Sequence, residues 1–314
     1  MQAVILAAGM GTRLRPVTVN RSKAMVPVLS RPLVERAIMP FVENSVRDFV
    51  FIISEEDTEI RPHFHGRTRL DVTANFVIQH DRLGMAHALG LAAPLVTGPF
   101  ALSACDSLVG APHVGRLLAA AKTADAALSL LEVEPELLSR SAVVEMDGDR
   151  IRRIVEKPAV HDAPSRTVSL PHYVFSPRIF DILPGIEPSP RGEYELQDGI
   201  QGLIDVGAHV VGVAADERLQ VSTPADLLAL TRRLFGAGSE TRRADPGSVG
   251  AATRFVDPVR VESETVIGGA CEIGPEVFLE GGCRIGDGAE IRRSIVLRGG
   301  CVGAGEIIED RVVT

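Results

Sequence analysis

Short apolar runs alternate with amphipathic stretches along the first part of the chain. Val4-Ile5-Leu6 is unbroken aliphatic sequence, as in a strand buried on both faces, and it stops at Ala7-Ala8-Gly9. Comparable runs at 48–53, 74–78, 100–104 and 126–133 predict four more strands. Helical spacing fills the intervals at 33–45, 55–64, from 83 onward, and at 112–122. Strands alternating with helices predict an α/β fold with a mostly parallel, doubly wound sheet. Ligands of such sheets bind beyond the carboxyl ends of the strands. The glycine turn, Gln79 and Asp106 all fall at ends of that kind.

Beyond residue 142 the pattern shortens. Residues 143–146 and 151–155, with Asp147-Gly148-Asp149 between them, predict a β-hairpin ending at Glu156-Lys157-Pro158. A short strand is expected at 172–175, a helix ending near Val206, and a strand at 209–213 that delivers Asp216. Thr223-Pro224 starts a further helix, with threonine as N-cap and proline at the first helical position. Residues 237–256, rich in Gly, Ser, Arg and Asp, read as a linker between a domain at 1–236 and a tail at 257–314.

The tail has a period of six. Val261, Ile267, Ile273, Leu279, Ile285, Ile291 and Leu297 stand at that spacing, with a mostly smaller residue four positions after each. One bulky and one smaller inward residue per hexad is the pattern of a β-helix. With three faces to a coil of about 18 residues, Cys283 and Cys301 are expected to stack one coil apart, as small buried residues in preference to a disulfide.

Composition narrows the function classes. The 314 residues carry a net charge of −8, which argues against general nucleic-acid binding. Apolar content is 45%, yet no run reaches membrane length, and the start lacks the pattern of a signal peptide. Four cysteines in so long a chain fit a reducing cytoplasm. Of 33 basic residues only Lys23, Lys122 and Lys157 are lysine. Lys122 reads as a solvated helix end; the other two sit in motif-like stretches, where a compact ammonium suits phosphate.

The candidate chemistry is that of a polyphosphate. Backbone N–H groups around Gly9 and Gly11 can form an anion cradle, to which Arg13, Arg15 and Lys23 add charge. No Gly-Lys-Ser/Thr follows and a third glycine is missing, so neither a Walker loop nor a dinucleotide fingerprint is present. Asp106 and Asp216 are candidate ligands for Mg²⁺, which is usually held by one or two carboxylates plus substrate phosphates. Gln79 with Gly84 offers an amide donor and acceptor to a pyrimidine base. Glu156 and Glu195 suit sugar hydroxyls and Lys157 a phosphate monoester, while His87 reads as structural.

Together these stretches resemble the sugar-1-phosphate nucleotidylyltransferases, over essentially the whole chain. The family signature is complete from Leu6 through Ala7, Ala8, Gly9, Gly11, Thr12 and Arg13 to Pro16, and its Lys-x-Met-x-Pro-Val segment at 23–28. Gln79 through Gly84-Met85 matches the base-binding segment, and Glu156-Lys157-Pro158 with Gly192-Glu193-Tyr194-Glu195 the sugar-phosphate side. Asp216-Glu217-Arg218 looks like the segment with the second metal position. The resemblance implies a Rossmann-like nucleotidyltransferase domain with a small left-handed β-helix. It also implies Mg²⁺ as cofactor, UTP or dTTP as the favoured triphosphate, and homo-oligomeric assembly. Arg13 and Lys23 become the expected catalytic residues. The departures lie on the sugar side. The usual Gly-Asp is Cys105-Asp106, and the usual Asn-x-Gly-x-Tyr is Ser169-Leu170-Pro171-His172-Tyr173. An unusual acceptor, a modified sugar or cyclitol 1-phosphate, is the expectation. The alternatives are a non-catalytic regulatory or assembly subunit, and acyl transfer by the tail, which has no histidine after His209 to serve as base.

Overall fold

The run Val4-Ile5-Leu6 lies deep inside a nine-stranded sheet, with Ala3, Val4 and Ile5 fully buried. The computed structural model describes residues 1–236, 242–243 and 248–314. They divide into two compact units, Met1–Gly9 with Val34–Leu219, and Met10–Leu33 with Gln220–Thr314. The stretch 10–33 thus clusters with the C-terminal residues rather than with the large sheet.

The sheet of the first unit contains β1 (Gln2–Leu6), β2 (Asp48–Ser54), β3 (Thr73–Gln79), β4 (Phe100–Ala104), β5 (Ala126–Glu132), β6 (Ala142–Asp147), β7 (Arg150–Glu156), β8 (Thr167–Phe175) and β9 (Val210–Ala214). Their order is β3-β2-β1-β4-β8-β5-β9-β7-β6. Only β8 and β7 run against the rest, so the sheet is mostly parallel, as the alternation of elements predicts. β1, β2, β3 and β4 are mutually parallel, which brings the carboxyl ends of β1, β3 and β4 to one side. This unit's longer helices are α1 (Leu33–Glu43), α2 (Met85–Leu91), α3 (Ala111–Ala120) and α4 (Leu196–Asp205); the core around Val4, Ile52, Leu102, Leu128, Tyr173 and Phe175 takes in Ala88 and Leu89 of α2 and Leu196, Ile200 and Leu203 of α4.

Two elements differ from expectation. The helix expected at 55–64 begins only at Ile60, because the Asp57 carboxylate accepts the Glu59 and Ile60 amides at 3.1 and 2.8 Å and holds the preceding residues in a turn. The strand expected at 172–175 extends back to Thr167 as β8. Its register against β5 shifts between Ser169 and Tyr173, where Pro171 lacks a ladder donor.

In the second unit, α5 (Pro224–Gly236) starts as its sequence predicts. Thr223 Oγ1 accepts the Asp226 amide at 3.2 Å, and the Asp226 carboxylate accepts the Ser222 and Thr223 amides. The tail forms three parallel sheets, one per face of the expected left-handed β-helix. Of the expected linker, 237–241 and 244–247 lie outside the described residues. Its remaining parts belong to the β-helix: Arg242–Arg243, Ser248–Val249 and Arg254–Phe255 pair in parallel with the next coil.

The hexad frame slips once. Val261 pairs with Leu279, Ile267 with Ile285 and Ile273 with Ile291, but Leu279 pairs with Val296, Ile285 with Val302 and Ile291 with Ile308. The corner built from Gly274, Pro275 and left-handed Glu276 in one coil is built in the next from Arg292 and left-handed Arg293, one residue fewer. The expected stacking of Cys283 on Cys301 therefore fails: Cys301 pairs with Arg284 and is exposed, whereas Cys283 is buried. Among the described residues no helix is long and apolar enough to cross a membrane.

Candidate functional site

The glycine turn begins where β1 ends. Ala7 and Ala8 are buried, and the Ala7 amide donates to Ile52 O at 2.8 Å, so the chain is held until Gly9 emerges. A Cβ at Gly9 would meet nothing within 4 Å. The space beside it is open, and its backbone is not left-handed. Arg82 closes this end of the site by donating from Nε to Ala8 O at 3.0 Å.

Gly11 differs. It is left-handed, with φ of 63°, and a Cβ there would lie 3.0 Å from Lys23 Cβ and 3.2 Å from Lys23 Cδ. The stem of Lys23, only 8% exposed, is therefore laid along the turn. Thr18 Oγ1 donates to Gly11 O at 2.8 Å and fixes the same loop. Thr12 and Arg13 follow on an exposed 3₁₀ turn. The second unit thus brings Gly11, Thr12, Arg13 and Lys23 together.

In the first unit Gln79 is buried at the end of β3. Its Nε2 donates to His87 Nδ1 at 3.1 Å and lies 3.4 Å from Gly84 O. The amide nitrogen is committed internally, which leaves the oxygen to meet a ligand. His87, read from sequence as merely structural, is what orients this amide. Gly84 has φ of 107°, and a Cβ there would come 2.5 Å from Tyr194 O. The Ala86 amide donates to Tyr194 O, and the Tyr194 amide to Leu83 O. Leu83, Gly84 and Ala86 thus join the segment after Gln79 directly to the segment carrying Glu193 and Glu195.

Glu156, Lys157 and Glu195 do converge. Lys157 Nζ lies 2.9 Å from Glu156 Oε1, and Lys157 takes a left-handed backbone, φ of 44°, secured by its amide donating to Ser141 O at 3.0 Å. Arg191, which the sequence did not single out, lies 2.6 Å from Glu195 Oε1 and 3.9 Å from Glu156 Oε1. Its hydrogen bond to Glu195, and then the nearby charges of Glu195, Glu156 and Glu193, hold its guanidinium even more firmly protonated than usual. Glu193 itself is exposed. Tyr173 lies close by, its hydroxyl accepting from Ser169 at 3.1 Å and pushed up to about 12 by burial.

Asp106 is half-buried just past β4, where the Cys105 amide donates to Leu6 O at 3.1 Å, so cysteine in place of the usual glycine leaves this tie intact. His172, fully buried, grips both sides of the turn. Nδ1 lies 2.9 Å from Ser103 Oγ and Nε2 2.9 Å from Ser107 Oγ. Ser103 donates onward to Ala104 O, so Nδ1–H donates to Ser103 and Ser107 donates to Nε2. Asp216 is placed otherwise: it is exposed and pairs with Arg116 at 3.3 Å. Among the described residues no three His, Cys, Asp or Glu side chains gather as a metal site. A metal held by one or two carboxylates and completed by phosphate oxygens needs no such cluster.

The His172 clamp has a pH signature. Burial, and secondarily the charge of His113, push its imidazole down to about 3. It is neutral when folded and titrates near 6.5 when unfolded. Stability is therefore full above about 6.5 and falls as pH drops toward 3, by up to about 1.4 kcal/mol per unit. His113, lowered mainly by burial, acts in the same direction. Urea midpoints measured at pH 7, 6 and 5 are expected to fall in the wild type and to fall less in His172→Gln. Equal slopes would remove the clamp.

A family model described as nucleotidyl transferase matches residues 2–233. The chain belongs to the sugar-1-phosphate nucleotidylyltransferase family. It is 33% identical over 238 residues to the UTP–glucose-1-phosphate uridylyltransferase AglF of Haloferax volcanii, covering 74% of this chain and 96% of that protein. It is 28% identical over 316 residues to the glucose-1-phosphate thymidylyltransferase of Streptomyces griseus, covering 100% of this chain and 81% of that one. The fold of a UDP-glucose pyrophosphorylase solved with UDP-glucose matches with a TM-score of 0.64 at 19% identity, over 75% of this chain and 98% of that chain. This nucleotidylyltransferase therefore has the family's enzymatic domain with its signature complete, and a β-helix follows it.

Proposed function

We propose that this nucleotidylyltransferase uses Mg²⁺ to transfer a nucleoside monophosphate from UTP or dTTP to a modified sugar or cyclitol 1-phosphate. An oxygen of the acceptor phosphate attacks the α-phosphorus, and the bond from that phosphorus to the β-phosphate oxygen breaks, releasing pyrophosphate. The observation that carries the reading is the Lys23 stem laid against Gly11. The acceptor phosphate is already anionic, so no general base is required. The protein's contribution is positioning and charge neutralisation. Amides of 9–12 and Arg13 hold the β and γ phosphates, and Lys23 neutralises charge on the α-phosphate and the leaving group. Gln79, aimed by His87, accepts the N3–H of uracil or thymine through its oxygen. Lys157 places the acceptor phosphate, while Glu156, Glu193 and Glu195 meet hydroxyls. Asp106 and Asp216 would hold Mg²⁺, which supplies further neutralisation of phosphate charge; Asp216 would give up Arg116 to do so.

The altered acceptor follows from the sugar side. Two residues that depart from the family pattern there reshape the strand behind it: Ser169 donates to the Tyr173 hydroxyl, and Pro171 stands where the register of β8 shifts. Arg191 adds a second cation beside Lys157. The β-helix supports assembly of a homo-oligomer. The test is pyrophosphate release from purified protein with Mg²⁺, each of five nucleoside triphosphates and a panel of sugar and cyclitol 1-phosphates. UTP or dTTP with one modified acceptor is expected to exceed every other pairing at least tenfold. Faster turnover of plain glucose 1-phosphate would overturn the acceptor. Silence across the panel, with nucleotide still bound in calorimetry, would favour a regulatory subunit.

A further inference from the structure

The second unit joins the signature loop and the β-helix by buried polar contacts. Glu280 follows the strand Val277–Leu279 and is only 4% exposed. Its Oε2 accepts the Arg298 amide at 2.8 Å, and its Oε1 lies 3.0 Å from an Arg21 guanidinium nitrogen. One coil earlier Glu262 braces its corner in the same way, accepting the Gly281 amide at 2.9 Å. Bracing a corner thus takes one carboxylate oxygen, and Glu280 has a second to spare. A buried carboxylate needs a charged partner; the Arg298 guanidinium stands 3.9 Å from Oε1, and the nearer partner, Arg21, comes from the loop. Arg21 stands two residues before Lys23, whose stem packs on Gly11. The far end of the loop is tied as well. Ser30, in the left-handed turn between Pro27–Val28 and Arg31–Pro32, accepts from Arg260 Nε at 2.5 Å.

We infer that the β-helix is the scaffold of the phosphate-binding loop, with Glu280 and Arg260 as positioning residues for nucleotide binding. The same chain's tail thereby sets the enzyme's affinity for its triphosphate, apart from any part it plays in assembly. The inference rests on the reading that residues 9–23 hold that triphosphate.

The test compares full-length wild type with Glu280→Gln, Arg21→Gln and the double variant. Glutamine at 280 keeps the acceptor for the Arg298 amide and removes the charge. Glu272→Gln, in an ion pair with Arg292 elsewhere on the β-helix, is the control. Amide hydrogen exchange without substrate is expected to quicken at least tenfold across 10–33 in Glu280→Gln and to stay at wild-type rates in β1 and β2. KM for the triphosphate is expected to rise about tenfold, with KM for the acceptor within twofold and the double variant no worse than either single one. Arg21→Lys is expected to recover part of the loss, and the control to match wild type. Exchange across 10–33 within twofold of wild type in folded Glu280→Gln would overturn the anchoring. Faster exchange with unchanged nucleotide affinity would overturn its role in binding. Wild-type protein that binds no triphosphate would instead overturn the reading of the loop, and exchange would still judge the anchoring. If Glu280→Gln does not fold, Arg260→Met is judged by the same two readouts.

Discussion

Asp106→Asn is expected to lower turnover by about 10²–10³-fold while thermal unfolding stays close to that of the wild type. The exchange keeps the side chain's size and removes its charge. The turn that presents it is fixed from outside, by His172 on Ser103 and Ser107 and by the Cys105 amide on Leu6 O, so the backbone has no reason to move. The loss corresponds to about 2.7–4 kcal/mol of transition-state stabilisation. If the carboxylate holds Mg²⁺, the concentration of Mg²⁺ giving half-maximal rate should rise as well. A variant with near-normal turnover and an unchanged Mg²⁺ requirement would remove Asp106 from the metal site.

What the sequence showed and what it hid divide by the range of the interactions. The buried strand at Val4-Ile5-Leu6 was legible because both its faces are aliphatic, and the parallel sheet because its elements alternate. Gly9, Gln79 and Asp106 were legible as strand-end residues for the same reason. The partners that aim them were not. Arg82 reaches Ala8 across 74 residues, and His172 reaches Ser103 across 69. No local spacing encodes such contacts. Arg191 was hidden differently: four residues before Glu195, on an exposed segment, it looks like any surface arginine until the fold brings Glu156 alongside. Gly84 reads from sequence as a partner of Gln79 in base recognition, and the structure supplies a nearer reason for glycine there in the Tyr194 backbone. In the tail a chance apolar residue misled the count. Leu297 continues the six-residue spacing and is buried, yet Val296 is the residue that pairs with Leu279.

Lys23→Ala is expected to cost about 10²–10³-fold in turnover, and Lys23→Arg is expected to recover little of it. Lysine at this position is informative because the chain otherwise writes arginine for nearly every basic residue. The geometry supplies the reason. The lysine stem runs within 3.2 Å of where a Cβ on Gly11 would sit, so the head group leaves the turn at a fixed place. A guanidinium is broader, planar and longer, and on the same packed stem it would carry its charge past that place. Lys23→Met separates the two contributions, since it keeps the stem and removes the charge. It should unfold like the wild type and still bind nucleotide, while losing as much turnover as alanine, because the charge is needed chiefly as the α-phosphate and pyrophosphate develop theirs. Turnover within threefold of wild type in Lys23→Met would show that the stem, not the ammonium, is what the site requires.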